Sequence, residues 1–208
     1  MPQTFIDNWF KTKGWKLHDH QIKMIQSGAS ESSSLLIAPT GGGKTLAGFL
    51  PSIIELNAYP TNSLHTIYIS PLKALTVDVA RNLLNPLSEM GLKITVETRT
   101  GDTPQSKRQR QRKSPPNILL TTPESLALLI SYPDSATIFQ ELRCVIIDEL
   151  HALAPTKRGD LLSLALARLN KWAPKARRVG LSATIPYPEE MAACLSCGHK
   201  IKTGQLLQ

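Results

Sequence analysis

The feature that most limits what this chain can fold into is the passage from Ser34-Leu35-Leu36-Ile37-Ala38 into Pro39-Thr40-Gly41-Gly42-Gly43-Lys44-Thr45, followed by a helical pattern over residues 44–56. A short apolar strand, a glycine turn and a helix start occur in immediate succession. The glycines let backbone N–H groups converge where side chains would block them, and the helix start points the positive end of its dipole at the same spot. Such a turn is built for an anion, and Lys44-Thr45 makes the anion a nucleotide phosphate. Lys44 would reach the β- and γ-phosphates, Thr45 would ligate Mg²⁺, and Thr40, Gly41, Gly42 and Gly43 would line the cradle. The pattern opens on Ala38 rather than Gly, the relaxed form of the loop.

The rest of the chain alternates in a way that suits this start. Residues 34–38, 66–70, 94–98, 118–121, 144–148 and 178–182 read as strands, several of them continuously apolar. Helical patterns at 44–56, 73–90, 123–130 and 160–172 lie between them. Continuously apolar strands imply a sheet covered on both faces, and strand–helix alternation implies right-handed parallel crossovers. The expected class is α/β: a RecA-like P-loop NTPase domain, mostly parallel sheet with helices on both faces. In such sheets ligands collect at the carboxyl ends of the strands.

One strand ends in a second chemical signal. Cys144-Val145-Ile146-Ile147 runs into Asp148-Glu149. An acidic pair after a strand is by itself an ordinary helix start. Together with the phosphate loop it reads as the acidic half of a nucleotide site. Asp148 would hold Mg²⁺ through water, and Glu149 would orient and deprotonate the attacking water. Lys44, Asp148 and Glu149 are thus the expected catalytic residues, with ATP and Mg²⁺ as cofactors.

Asp148-Glu149-Leu150-His151 resembles the DExH form of motif II in superfamily 2 helicases, and Ser182-Ala183-Thr184 resembles their motif III. Tyr68-Ile69-Ser70-Pro71-Leu72-Lys73-Ala74-Leu75 is similar to motif Ia. Thr98-Arg99-Thr100-Gly101-Asp102-Thr103 and Thr121-Thr122-Pro123-Glu124-Ser125-Leu126 resemble the next nucleic-acid segments. Within that superfamily, residues 5 to 195 are most similar to the ligase-associated DEXH-box helicases of the large-helicase-related group. The resemblance implies an ATP-dependent DNA helicase of bacterial repair, moving 3′ to 5′. It implies phosphate contacts from Ser70, Pro71, Lys73, Arg99, Thr100, Gly101, Thr122 and Pro123, and coupling of hydrolysis to movement by His151, Ser182 and Thr184. Gln21 stands where the family reads adenine. Leu17-His18-Asp19-His20 departs from the Pro and aromatics of the family, so His18 or His20 would take over the stacking.

The residue counts narrow the setting. Lys and Arg exceed Asp and Glu by 24 to 16, giving a net charge of +8, and Lys107-Arg108-Gln109-Arg110-Gln111-Arg112-Lys113 holds a concentrated share of it. That segment reads either as a phosphate-backbone contact or as a solvated helix face. No apolar run approaches the roughly 20 residues that span a bilayer, and no secretory pattern opens the chain, so no membrane partner and a bacterial cytoplasmic location are expected. Cys144 reads as a buried small hydrophobe; Cys194, Cys197 and His199 offer three zinc ligands without a fourth, or else a helix ending at Gly198.

The 208 residues divide into an N-terminal helical extension (1–30), the RecA-like domain (31–195) and a tail (196–208). The Gln-x-x-Gly-Arg-x-Gly-Arg segment of a second RecA-like domain does not occur; Lys157-Arg158-Gly159-Asp160 lacks its spacing. The expectation is a chain that binds Mg·ATP, hydrolyses it slowly, and needs a second RecA-like domain in cis or trans, as a truncation or half of a split motor. Single-stranded DNA is the expected partner, with RNA as the alternative and DNA-ligase-associated repair proteins as further partners. A non-catalytic nucleotide-binding module is the reading from another class; a small-molecule kinase leaves the DELH and SAT residues unexplained.

Overall fold

A computed structural model of the chain describes residues 4–30, 33–39, 41–183, 195 and 206–207. Two helices, α1 (Thr4–Thr12) and α2 (Asp19–Ala29), precede the first strand. The strands are β1 (Ser34–Ile37), β2 (Thr66–Ile69), β3 (Val96–Arg99), β4 (Ile118–Thr121), β5 (Cys144–Ile147), β6 (Arg177–Ser182) and the two-residue β7 (Leu206–Leu207). The connecting helices are α3 (Lys44–Ala58), α4 (Lys73–Glu89), α5 (Gln105–Lys113), α6 (Pro123–Ile130), α7 (Ser135–Phe139), α8 (Leu150–Leu153) and α9 (Lys157–Trp172). The sheet runs β3-β4-β2-β5-β6-β1-β7, and every pairing is parallel.

The period of two along each strand builds a core on both faces. Ile67, Ile69, Leu119, Val145 and Ile147 join one cluster with Leu126 and Leu129 of α6 and Leu162, Leu166 and Leu169 of α9. Tyr68, Leu120, Cys144, Ile146 and Leu181 join the other with Phe49 and Ile53 of α3 and Leu83 and Leu87 of α4. Each fully buried Leu, Ile or Phe contributes about 1.5–3 kcal/mol of hydrophobic stabilisation. Cys144 is fully buried in this packing, the inert apolar role expected of it.

Boundaries moved where local chemistry competed with the apolar pattern. The third strand, expected at 94–98, lies at Val96–Arg99 and is partly exposed, because it pairs with β4 alone. A helix expected from residue 160 begins at Lys157, where Thr156 accepts a hydrogen bond from the Gly159 N–H. The N-terminal extension is helical and packs Ile6, Trp9 and Phe10 of α1 against Ile25 of α2 and Leu50 of α3.

Candidate functional site

The phosphate loop leaves β1 anchored at its root, where the Ala38 N–H donates to the Ser182 carbonyl of β6 at 3.1 Å. Gly41 and Gly43 have φ of +83° and +71°, the left-handed region that side chains resist. A Cβ at Gly43 would sit 2.8 Å from Gln21 Nε2, so a side chain there would displace the Gln21 amide. Lys44 opens α3 with its ammonium buried, 3.4 Å from the Ala38 carbonyl and 3.8 Å from Glu149 Oε1. Thr45 follows, half-buried.

At the end of β5, the Asp148 N–H donates to the Ile69 carbonyl at 2.9 Å. Both oxygens of its carboxylate are engaged: Oδ1 accepts from the Glu149 N–H at 2.9 Å, and Oδ2 accepts from the Tyr68 hydroxyl. Burial, then the charge of Asp148, pushes the Tyr68 pKa far above that of an ordinary phenol. Glu149 has φ +49°, the one non-glycine residue among those described with a positive φ. Backbone held in that region stores strain of order 1–3 kcal/mol and clusters at functional sites. Its carboxylate lies between two nitrogen-bearing side chains: Oε1 is 3.8 Å from Lys44 Nζ, and Oε2 is 3.3 Å from His151 Nε2. His151 Nδ1 in turn meets the Ser182 hydroxyl at 2.7 Å. Phosphate loop, acidic box and the end of β6 are therefore joined by one chain of side chains.

Gln21, in the first turn of α2, is buried and accepts from the His18 N–H at 3.0 Å, which holds its amide toward the phosphate loop. His18 is exposed and stacks on His20 at 5.3 Å with rings 7° apart. Burial lowers the His20 pKa below 6.5 against the pull of the Gly42 backbone, with neighbouring His18 adding to the drop. The exposed His18 is the one of the pair with a ring available for stacking.

This cradle fits a nucleoside triphosphate: bare glycine backbone, a buried ammonium, a helix start and an amide beside it. It also fits Mg²⁺, because Thr45 and Asp148 supply hard oxygen donors. Among the described residues no cluster of three His, Cys, Asp or Glu side chains is placed to enclose a metal. A divalent ion here would complete its shell with water and phosphate, as Mg²⁺ usually does.

The residues expected to meet nucleic acid separate into two sets. Pro71, Lys73 and Gly101 reach the surface, where Lys73 Nζ pairs with Asp102 at 2.9 Å. Ser70, Arg99, Thr100, Thr122 and Pro123 are buried. The Arg99 guanidinium points inward and donates to the Arg108 carbonyl at 3.0 Å. The N–H groups of Ser70 and Thr100, expected to face phosphates, donate instead to the Thr121 carbonyl at 3.0 Å and the Thr103 hydroxyl at 2.9 Å. The Thr122 hydroxyl caps α6 by accepting from the Ser125 N–H. Nor is the basic run an open positive face. Arg110 pairs with Glu97, Arg112 with Asp134 and the face of Tyr132, and Arg108 with the carbonyls of Thr100 and Gly101. It forms a helix, but one whose arginines mostly hold the domain together.

Thr40, Thr184, Cys194, Cys197 and His199 lie outside the described residues. Tyr68, whose hydroxyl meets Asp148, has no role of its own in the sequence reading. Its signal was there, since a phenol amid buried aliphatic residues must find a partner for its hydroxyl.

The parallel sheet, the glycine loop after β1 and the paired carboxylates after β5 define a RecA-type P-loop nucleotide-binding domain. The family model for the DEAD/DEAH box helicase matches residues 18–192, and the chain belongs to that family. It is 46% identical over 202 residues to the Lhr helicase/probable uracil glycosylase of Mycolicibacterium smegmatis, covering 90% of this chain and 13% of that protein. It is 40% identical over 205 residues to the ATP-dependent helicase Lhr-Core of Methanocaldococcus jannaschii, covering 91% of this chain and 24% of that one. Among solved structures, the Mycobacterium smegmatis helicase Lhr bound to ssDNA and AMP-PNP superposes with a TM-score of 0.86 at 41% identity, over 94% of this chain and 27% of that chain. The DUF1998 helicase MrfA bound to DNA and AMPPNP gives 0.81 at 28% identity, over 92% and 27%. The chain thus spans about a quarter or less of these relatives. The Lhr name of the Mycolicibacterium and Methanocaldococcus relatives agrees with the resemblance to the large-helicase-related group.

Proposed function

We propose that this chain is the first ATP-binding motor domain of a larger ATP-dependent helicase that moves 3′ to 5′ on single-stranded DNA in repair. The observation that carries the reading is the continuous contact from Lys44 through Glu149 and His151 to Ser182. Bound Mg·ATP supplies the reactive γ-phosphoryl group and the charge that neutralises it. Lys44 Nζ exchanges the Ala38 carbonyl and Glu149 for phosphate oxygens. Released from Lys44, Glu149 Oε1 orients the attacking water and accepts its proton. His151 keeps hold of the other carboxylate oxygen and reports that change to Ser182 on β6. DNA is favoured over RNA because the relatives solved at 41% and 28% identity carry ssDNA and DNA.

The chain holds no arginine-finger segment, and such a residue raises turnover about 10³–10⁵-fold in related systems. The test is fluorescent ATP binding and phosphate release by the 208-residue chain. Mg·ATP binds, Lys44→Ala abolishes binding, and turnover is slow until a second RecA-like domain is supplied. Stimulation by single-stranded DNA exceeds that by RNA in the reconstituted pair. Unwinding by this chain alone would overturn the need for a second domain, and binding untouched by Lys44→Ala would overturn the site.

A further inference from the structure

The strand order sorts the chemistry into halves. β1, β6 and β5 end in the phosphate loop, Ser182 and the acidic box, whereas β2, β4 and β3 end in the segments that resemble nucleic-acid motifs. Within the sheet the halves adjoin at the β5–β2 pair. Two ties cross that seam at its carboxyl end: the Asp148 N–H to the Ile69 carbonyl, and the Tyr68 hydroxyl to Asp148 Oδ2. We propose that Tyr68 is a positioning residue, which fixes the Asp148 carboxylate for the metal-bound nucleotide and ties it to the loop at Ser70-Pro71.

Packing alone does not call for this side chain. Ile67 and Ile69 fill the same strand with aliphatic groups, while Tyr68 is fully buried and stacks its ring on Phe49 of α3 at 5.3 Å and 29°. Phe would make that stack equally well, so the hydroxyl has its use at Asp148. The tie does not stop at β2. The Ser70 N–H donates to the Thr121 carbonyl at 3.0 Å, and the Thr121 hydroxyl to the Arg99 carbonyl at 2.7 Å. A row of hydrogen bonds therefore crosses the strand ends from the metal-side carboxylate to the outermost loop. A shift of the Ser70-Pro71 loop moves β2, and Tyr68 carries that shift to Asp148.

This inference rests on Asp148 being the metal-side carboxylate, and the experiment keeps the two apart. Fluorescent ATP is titrated into the chain with excess Mg²⁺ and again in EDTA, and the affinity ratio is read. The unaltered chain gains affinity with Mg²⁺, and Asp148→Asn loses most of the gain; no gain in the unaltered chain overturns the reading of Asp148. Tyr68→Phe cuts the ratio about tenfold, in line with loss of a residue that orients a metal ligand, while affinity in EDTA holds. Phe49→Leu disturbs the same packing and lowers the melting temperature with the ratio intact. The nucleotide-induced shift in melting temperature, with and without Mg²⁺, gives a second measure of the ratio for each variant. A Tyr68→Phe ratio equal to that of the unaltered chain, or an equal fall in Phe49→Leu, overturns the inference.

Discussion

Arg99 closes β3 with its charge inside the protein. Its guanidinium donates to the Arg108 carbonyl at 3.0 Å and to Gln111 Oε1 at 3.4 Å, and only 1% of the residue is exposed. Its role here is to dock α5 on the edge of the sheet. Arg99→Ala would leave two acceptors and a cavity without their donor, a loss of about 2 kcal/mol. For a domain of this size that lowers the melting temperature by about 4–8 °C. Oligonucleotide affinity, measured well below the transition, should change less than twofold; a tenfold loss with stability unchanged would restore Arg99 as a phosphate contact. Residues of the nucleotide site were legible because glycine spacing and paired acids after an apolar run encode backbone geometry directly. At a strand end the same residue type faces in or out according to neighbours distant in the chain. For that reason the sequence alone does not show that Arg99 faces inward or that Tyr68 meets Asp148.

Among the elements, the pairing of α2 with α3 matters most to the site, because it places Gln21 against the phosphate loop. Gly28 and Pro51 set how closely the two helices approach: a Cβ on Gly28 would lie 2.3 Å from the Pro51 Cβ. Gly28→Ala must therefore push α2 away, and overpacking of this kind costs about 1–3 kcal/mol. The displaced helix takes Gln21 and His18 with it. ATP should lose its affinity advantage over GTP, so that the two nucleotides bind alike, while Lys44-dependent phosphate binding persists. Competition titrations of ATP and GTP check this; an unchanged preference alongside a lowered melting temperature would show that Gln21 does not read adenine. Apolar periodicity revealed α3, α4, α6 and α9, although α3 runs through Pro51 and α4 through Pro86. The helix α5 has no apolar stripe, and its basic run left two readings open. Its side chains find their partners on β3 and near Tyr132, which local sequence does not specify.

Across the whole molecule, one acid-sensitive cluster sits at the opposite end of the sheet from the nucleotide chemistry. At the amino ends of the strands, Arg177 of β6 pairs with Glu55 of α3 at 2.5 Å and also reaches Ser52, while His65 meets the other Glu55 oxygen at 3.0 Å. Burial works to raise the Glu55 pKa, but His65 and Arg177 outweigh it and hold the carboxyl below 4.5. Glu97 is likewise held below 4.5, with Arg110 and Gln111 overcoming burial. For such groups the unfolded chain takes up protons first as pH falls. Their stabilisation is present in full above pH 4.5 and drains away as pH drops through the lower folded values. His20, held below 6.5 chiefly by burial, works in the same direction from a higher pH. Melting temperature should therefore decline gently below pH 6.5 and steeply below 4.5. Glu55→Gln should melt lower at pH 7 yet lose less between pH 5 and 3, because its uncharged amide has no proton to take up there. Saturating Mg·ATP should raise the curve by linkage at neutral pH, since it binds the folded state alone. The acid slope due to Glu55 should survive that addition, because the triad lies at the far end of the strands from Lys44. Thermal melts of both proteins from pH 3 to 7, with and without nucleotide, measure each of these quantities. Parallel curves for Glu55→Gln and the unaltered chain would place the acid sensitivity elsewhere in the molecule.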